Sequence, residues 1–201
     1  MMRIGLIGAN TNEKDYLGLY LGKVLSMEHK VLLVTRQQNL MGDLEDYEYN
    51  ETFRIMSHRP DLVEVDYLIM DEVELDRDNY DYIFFITGPN QSEVTYNETI
   101  FCKEILEKDC VIYHNILVDS KINGKYLNNR FKIDSKKIHV LERPLNEWDL
   151  MMEIENNYDL TIRMRHMSKD YQKLILKMIQ HSTGNKDKAI KKWLKKARRC
   201  K

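Results

Sequence analysis

The chain has 201 residues, 43% of them hydrophobic and 31% charged, with a formal net charge of −1. This length suits one domain with a sizeable core, and no apolar run reaches the ~18 residues of a membrane span. A strand-like run stands at the very start, so no signal peptide is expected and the reading is of a cytoplasmic protein. The three cysteines, Cys102, Cys110 and Cys200, are odd in number and lack CxxC spacing, which reads as reduced structural thiols. No cluster of His and Cys has metal-ligand spacing. The charge is unevenly placed: residues 185–201 hold nine Lys/Arg against one Asp, so the other 184 residues hold 22 basic against 31 acidic groups. An acidic body carries a basic tail.

In chain order, residues 3–8 read as a first strand. Residues 16–27 (YLGLYLGKVLSM) read as a helix, with apolar residues at 17, 20, 21, 24 and 25 and Asp15 as N-cap. Residues 31–34 (VLLV) are a wholly apolar strand of the kind buried on both faces of a parallel sheet. Residues 36–60 are polar and weakly patterned. Strands are expected at 65–70 (VDYLIM) and 82–86 (YIFFI), the second stopped by TGPN, and then a helix at 92–107. Further strands follow at 110–113 (CVIY), running on through His114 and Asn115, and at 138–141 (IHVL), ended by Arg143-Pro144. Helices at 146–155 and 168–181 precede a break at 182–185. Short apolar strands alternating with helices point to an α/β fold with a mostly parallel sheet. Such sheets bind ligands at the carboxyl ends of their strands, so the exits at 8–15, 35–38, 87–91 and 114–119 matter most.

The order of these pieces resembles the MinD/ParA family of deviant P-loop ATPases, across most of residues 1–181. The family opens with strand, KGGxGKT loop, helix and a second strand ending near a catalytic Asp, followed by YDYIIIDTPP-like text and a strand ending in an adenine-contacting Asn. Here YDYIFFITGPN (80–90), VIYHNILVDSKING (111–124) and HVLERPLNEWDLMMEIENNY (139–158) look like the later elements. The resemblance implies a three-layer P-loop NTPase-like fold with a mostly parallel central sheet over 1–181, and a separate basic helix over 185–201.

A P-loop needs glycines to turn backbone N–H groups onto phosphate, a Lys for its charge and a Ser/Thr hydroxyl for magnesium. Aligned from Gly8, the loop reads G-A-N-T-N-E-K-D. Lys14 falls at the P-loop lysine, Ala9 at the family's extra lysine, and Asn10, Thr11 and Glu13 at glycines. Asp15 falls where the magnesium-binding Thr belongs. A carboxylate about 4 Å from a phosphate charge costs roughly 4 kcal/mol at an effective dielectric near 20, so Glu13 and Asp15 together oppose Lys14. Thr35 and Gln37 stand where the second strand's acids belong, and Ile86 where the Walker B Asp belongs. Asn115 matches the adenine-contacting Asn. Gly8, Lys14, Asp15 and Asn115 are thus the candidate relic of a nucleotide site, and no catalytic residue is assigned. A dinucleotide-binding Rossmann start is the rival pattern, with Arg36 suited to a 2′-phosphate, but G-x-G-x-x-G is absent.

In the tail, Ala189, Ile190, Trp193, Leu194 and Ala197 share one helical face, and Lys/Arg fill the other. Ile190, Lys191, Lys192, Trp193, Leu194, Lys195, Lys196 and Arg198 are the candidate contact to an anionic membrane surface or a protein partner. Docking on the acidic body is the alternative, and nucleic acid a weaker one, since no aromatic interleaving offers stacking. Trp148, Leu150, Met151 and Met152 lie close together and read as core, with a Met-rich partner surface as the other choice. The leading expectation is a pseudo-ATPase that binds no essential cofactor and positions a protein partner at a membrane. The resemblance adds pilus or secretion machinery as a context, and a homodimer through the nucleotide edge. An unconventional ATP-binding switch and a Rossmann-type NADP-dependent oxidoreductase are the alternatives.

Overall fold

The computed structural model describes residues 1–35, 46–60, 64–117 and 119–200. Among the described residues, eight strands form one sheet: β1 (Met2–Ile7), β2 (Val31–Thr35), β3 (Asp46–Asn50), β4 (Phe53–Met56), β5 (Tyr67–Glu72), β6 (Tyr82–Thr87), β7 (Cys110–Ile116) and β8 (His139–Pro144). Their spatial order is β3-β4-β2-β5-β1-β6-β7-β8. Every neighbouring pair is parallel except β3–β4 at the edge. The central strands are buried on both faces, which is why VLLVT and YIFFIT read as unbroken apolar runs.

Helices cover both faces and make three layers. Side chains of β1, β2, β5 and β6 that point one way meet α1 (Asn12–Leu25), α5 (Lys169–Thr183) and α6 (Asp187–Ala197), and Met152 of α4 (Glu147–Asp159) joins them. Their alternates, such as Leu32, Leu68 and Phe85, meet Val94 and Phe101 of α2 (Gln91–Glu104) and Leu127 and Phe131 of α3 (Gly124–Phe131). Gly22 lets α1 lie close on the sheet, since a Cβ there would stand 2.5 Å from the Phe53 ring.

Four expectations from the sequence are corrected by the structure. Helix α1 begins a turn early, because Thr11 rather than Asp15 is its N-cap and accepts from the Lys14 amide. The polar stretch before residue 60 contains the β3–β4 hairpin, and α3 arises in text too polar to show a helical period, capped by Asn123. The basic tail does form a helix, but its apolar face is covered. Ile190, Trp193, Leu194 and Ala197 are all buried, α6 packs against α1 and α5, and the His29 ring meets Trp193 edge-on. Lys191, Lys192, Lys195 and Lys196 stay exposed, while Arg198 turns back to Gln172 and the Arg165 carbonyl. Among the described residues, no helix is long and apolar enough to cross a membrane.

Candidate functional site at the strand exits

The exits of β1, β2 and β5 converge on the first turn of α1. Lys14 leaves that turn and runs inward, fully buried. Its ammonium lies 2.8 Å from Asp71 Oδ1, 2.9 Å from the Gly8 carbonyl and 3.0 Å from the Glu72 carbonyl. An ammonium has three N–H donors and no more, and here each has an acceptor supplied by the chain. Asp71 takes a further hydrogen bond on its other oxygen, from the Thr35 hydroxyl at 3.1 Å.

Asp15 lies beside this pair, 1% exposed, and its two oxygens meet no donor among the described residues. Burial is the main force that pushes its pKa up to about 10. The hydrogen bond to Asp71 and that group's charge add to it, and Lys14 opposes. Burial and the neighbouring Asp71 charge thus favour the protonated, neutral form of Asp15 over the carboxylate. Beside it Lys14 and Asp71 form a fully buried ion pair.

The loop around it is also tied. The amide of Gly8 donates to the Glu72 carbonyl, Ala9 to Asn97 Oδ1, Lys14 to Thr11 Oγ1 and Asp15 to the Thr11 carbonyl. Gly8 has φ +156°, and a Cβ there would stand 2.2 Å from the Ile86 carbonyl. Its glycine is required by the close approach of β1 and β6. Asn115 sits at an irregularity in the β7–β8 pairing with φ 53°, and its side-chain amide donates to Glu13 Oε1 at 3.0 Å. The structure thus brings Gly8, Lys14 and Asp15 together and ties Asn115 to the same turn through Glu13.

One assignment moves. Ile86 is a buried strand residue of β6, facing the core rather than the lysine. The acid beside Lys14 is Asp71, at the end of β5, between β1 and β2. The text DYLIMD (66–71) follows the DYIIID pattern to its final acid, whereas DYIFFI (81–86) does not. Position 71 is the residue that sequence reasoning missed, although its signal was present. Gln37 and Arg36 lie outside the described residues. Thr35 is placed at the Asp71 carboxylate.

A second buried charge cluster lies behind α1. Arg143, fully buried at the end of β8, stands 3.2 Å from Glu153 and 4.0 Å from Asp149, with its guanidinium 3.8 Å over the Tyr171 ring. Asp149 also accepts from the amide and hydroxyl of Ser168, the N-cap of α5. Asn156 binds Tyr20 and the backbone of Arg163. These contacts fasten α4 by its polar side chains.

Comparison with solved structures places the architecture. The chain matches the MinD cell division protein of Aquifex aeolicus with a TM-score of 0.61 at 12% identity, covering 92% of this chain and 98% of that one. It matches a ParA family ATPase of Chlorobium tepidum TLS with a TM-score of 0.58 at 12% identity, over 96% and 97%. The MinC:MinD cell division protein complex of Aquifex aeolicus gives 0.52 at 13% identity, over 78% and 86%. The fold is that of the ParA/MinD P-loop NTPases. At these identities the likeness is one of fold. No family model matches the sequence, and no curated protein does.

Proposed function

We propose that this chain is a non-hydrolysing pseudo-ATPase on the ParA/MinD scaffold, and that it works by binding: it holds and positions a protein partner. The observation that carries this reading is the Lys14 ammonium, whose three donors are satisfied by Asp71, Gly8 and Glu72. A nucleotide phosphate would have to displace an ion pair in which both side chains are at most 2% exposed. The hydroxyl that would meet magnesium is replaced by Asp15, whose burial beside Asp71 disfavours its charged form. As they stand, the residues do not fit a magnesium nucleotide, and no hydrolytic step is assigned to them. The similar MinD of the MinC:MinD cell division protein complex is held with a protein partner, MinC, which supports an adaptor role. A pilus or secretion assembly is the kind of partner complex the family resemblance implies. The exposed lysines of α6 would serve as an electrostatic contact to an anionic membrane surface, without insertion of its buried apolar face.

One observation favours a second reading, an unconventional ATP-binding switch. Asp71 is an acid in the right neighbourhood for magnesium, and Lys14 would need only to exchange Asp71 for a phosphate. Calorimetry with ATP and ADP in magnesium separates the two. The pseudo-ATPase reading expects no saturable heat down to a dissociation constant of about 1 mM, roughly −4 kcal/mol. Micromolar ATP binding that Lys14→Ala abolishes would establish the switch instead.

A further inference from the structure

Helix α4 is mounted with its polar side inward. The residues it buries are Asp149, Met152, Glu153 and Asn156. The residues it shows to solvent include Trp148, 67% exposed, Met151, Ile154 at 69% and Tyr158 at 90%. Their spacing of three or four places them along one side of the helix, a stripe about 15 Å long. Leu145 before the helix and Leu160 after it are exposed as well. Apolar side chains left in water on a helix already held by buried charge contacts add nothing to its anchoring, and a contiguous patch of this kind marks an interaction surface. Trp and Tyr are also the side chains most often found at the centre of binding hot spots.

The charges on this face select among occupants. Residues 145–162 contain no Lys or Arg, and the exposed charged residues of α4 are Glu147, Glu155 and Asp159. Asp159 is already paired with Arg163 at 2.7 Å, so Glu147 and Glu155, which flank the stripe, set the charge of this face. An anionic membrane would meet these acids at close range and be repelled. A second copy packed face to face would set the same acids against their own mates, with no cation on either helix to offset them. What fits is an apolar surface carrying positive charge. We infer that the exposed face of α4 docks a basic amphipathic segment, about three helical turns long, of a different protein. This rests on the reading that the chain holds a partner, and it is independent of whether nucleotide binds.

The test uses fluorescence anisotropy on the full chain with two labelled helical peptides that share one leucine face, one filled out with lysine and the other with glutamate. The Leu/Lys peptide is expected to bind saturably and more weakly as salt rises, and the Leu/Glu peptide not to bind. Trp148→Ser with Ile154→Ser should weaken binding by at least about tenfold. Glu147→Lys with Glu155→Lys, which leaves the apolar stripe intact, should weaken it as well. All four positions are exposed, so folding is checked by the melting temperature, which should stay at the wild-type value. Equal binding of both peptides, binding of neither, or binding that ignores both variant pairs would overturn the proposal. So would a dimer in sedimentation velocity, or flotation with phosphatidylglycerol vesicles, that Trp148→Ser and Ile154→Ser abolish. If the Leu/Lys peptide fails while ATP still gives no heat, the surface assignment falls and the pseudo-ATPase reading stands.

Discussion

Helices α4 and α6 each carry a tryptophan in an apolar stripe, and the molecule treats them in opposite ways. In α6, Trp193 is 8% exposed and its neighbours Ile190 and Leu194 lie in the core. In α4, Trp148 is 67% exposed while the acids on the far side of the helix are buried. The basic tail looked like the surface device and the Trp/Met segment looked like core. Periodicity reports that a helix has an apolar face. What covers that face depends on what the rest of the chain offers. For α6 it is a groove between α1 and α5. For α4 the body offers Arg143, Ser168 and Tyr20, which select the polar side.

The sharpest way to break this contrast is to truncate the two tryptophans. Trp193→Ala removes a buried aromatic and should cost about 3–5 kcal/mol in urea unfolding. A stability unchanged by it would mean that α6 is not docked, and the membrane-insertion reading of its apolar face would reopen. Lys14→Met is expected to be about as damaging, about 3–5 kcal/mol, because it leaves the buried Asp71 carboxylate without its cation. Adding Asp71→Asn to Lys14→Met should recover part of that loss, and a double-mutant cycle measures how much. Additive effects would mean the ion pair is absent in solution.

Much of the fold was legible because the central strands are buried on both faces and so appear as apolar runs: VLLV, YIFFI and CVIY needed only their ends adjusted. Caps were less legible. Asp15 satisfies the composition rule for an N-cap, but Thr11 occupies the position and Asp15 falls inside the first turn. The site was half legible. Gly8 and Lys14 were found from the loop alone, since a strand-to-helix turn is local. Asp71 was passed over although DYLIMD carries the pattern, because nothing local says that β5 rather than β6 lies between β1 and β2. That placement comes from a crossover between segments about sixty residues apart, and YIFFI was the louder apolar run. Helix α3 was missed for a simpler reason: GKYLNNRF buries only Gly124, Leu127 and Phe131, too few to set a period.

Charges extend the comparison between covered and open groups to pH. Burial beside Asp71 pushes the Asp15 pKa up to about 10, whereas an aspartic acid in an unfolded chain titrates near pH 3.9. Between those values the native state binds one more proton than the unfolded state, so this group makes stability fall as pH rises. Asp15→Asn removes that slope, and its side-chain amide can still donate toward Asp71. The variant should be more stable than wild type by about 2–4 kcal/mol at pH 7, with the gain growing toward pH 9 and vanishing near pH 4. Thermal melts across that range read it directly. A variant less stable than wild type at pH 7 would mean that Asp15 is ionised and useful there, as a magnesium ligand would be.

The smallest expected effect is on the other tryptophan. Trp148→Ser removes a side chain that is mostly in water and should shift unfolding by no more than about 0.5 kcal/mol. This near-zero change is informative because of its neighbours on the same helix. Asp149→Ala, one residue along, strips the Ser168 cap of its acceptor and leaves the buried Arg143 short of a carboxylate, and should cost about 3 kcal/mol or more. Two adjacent residues would then differ by several kcal/mol in stability, with the polar one as the anchor and the apolar one dispensable to the fold. A large loss from Trp148→Ser would show that the stripe is covered by some part of this chain in solution. α4 and α6 would then be alike, and the case for a partner on α4 would be lost.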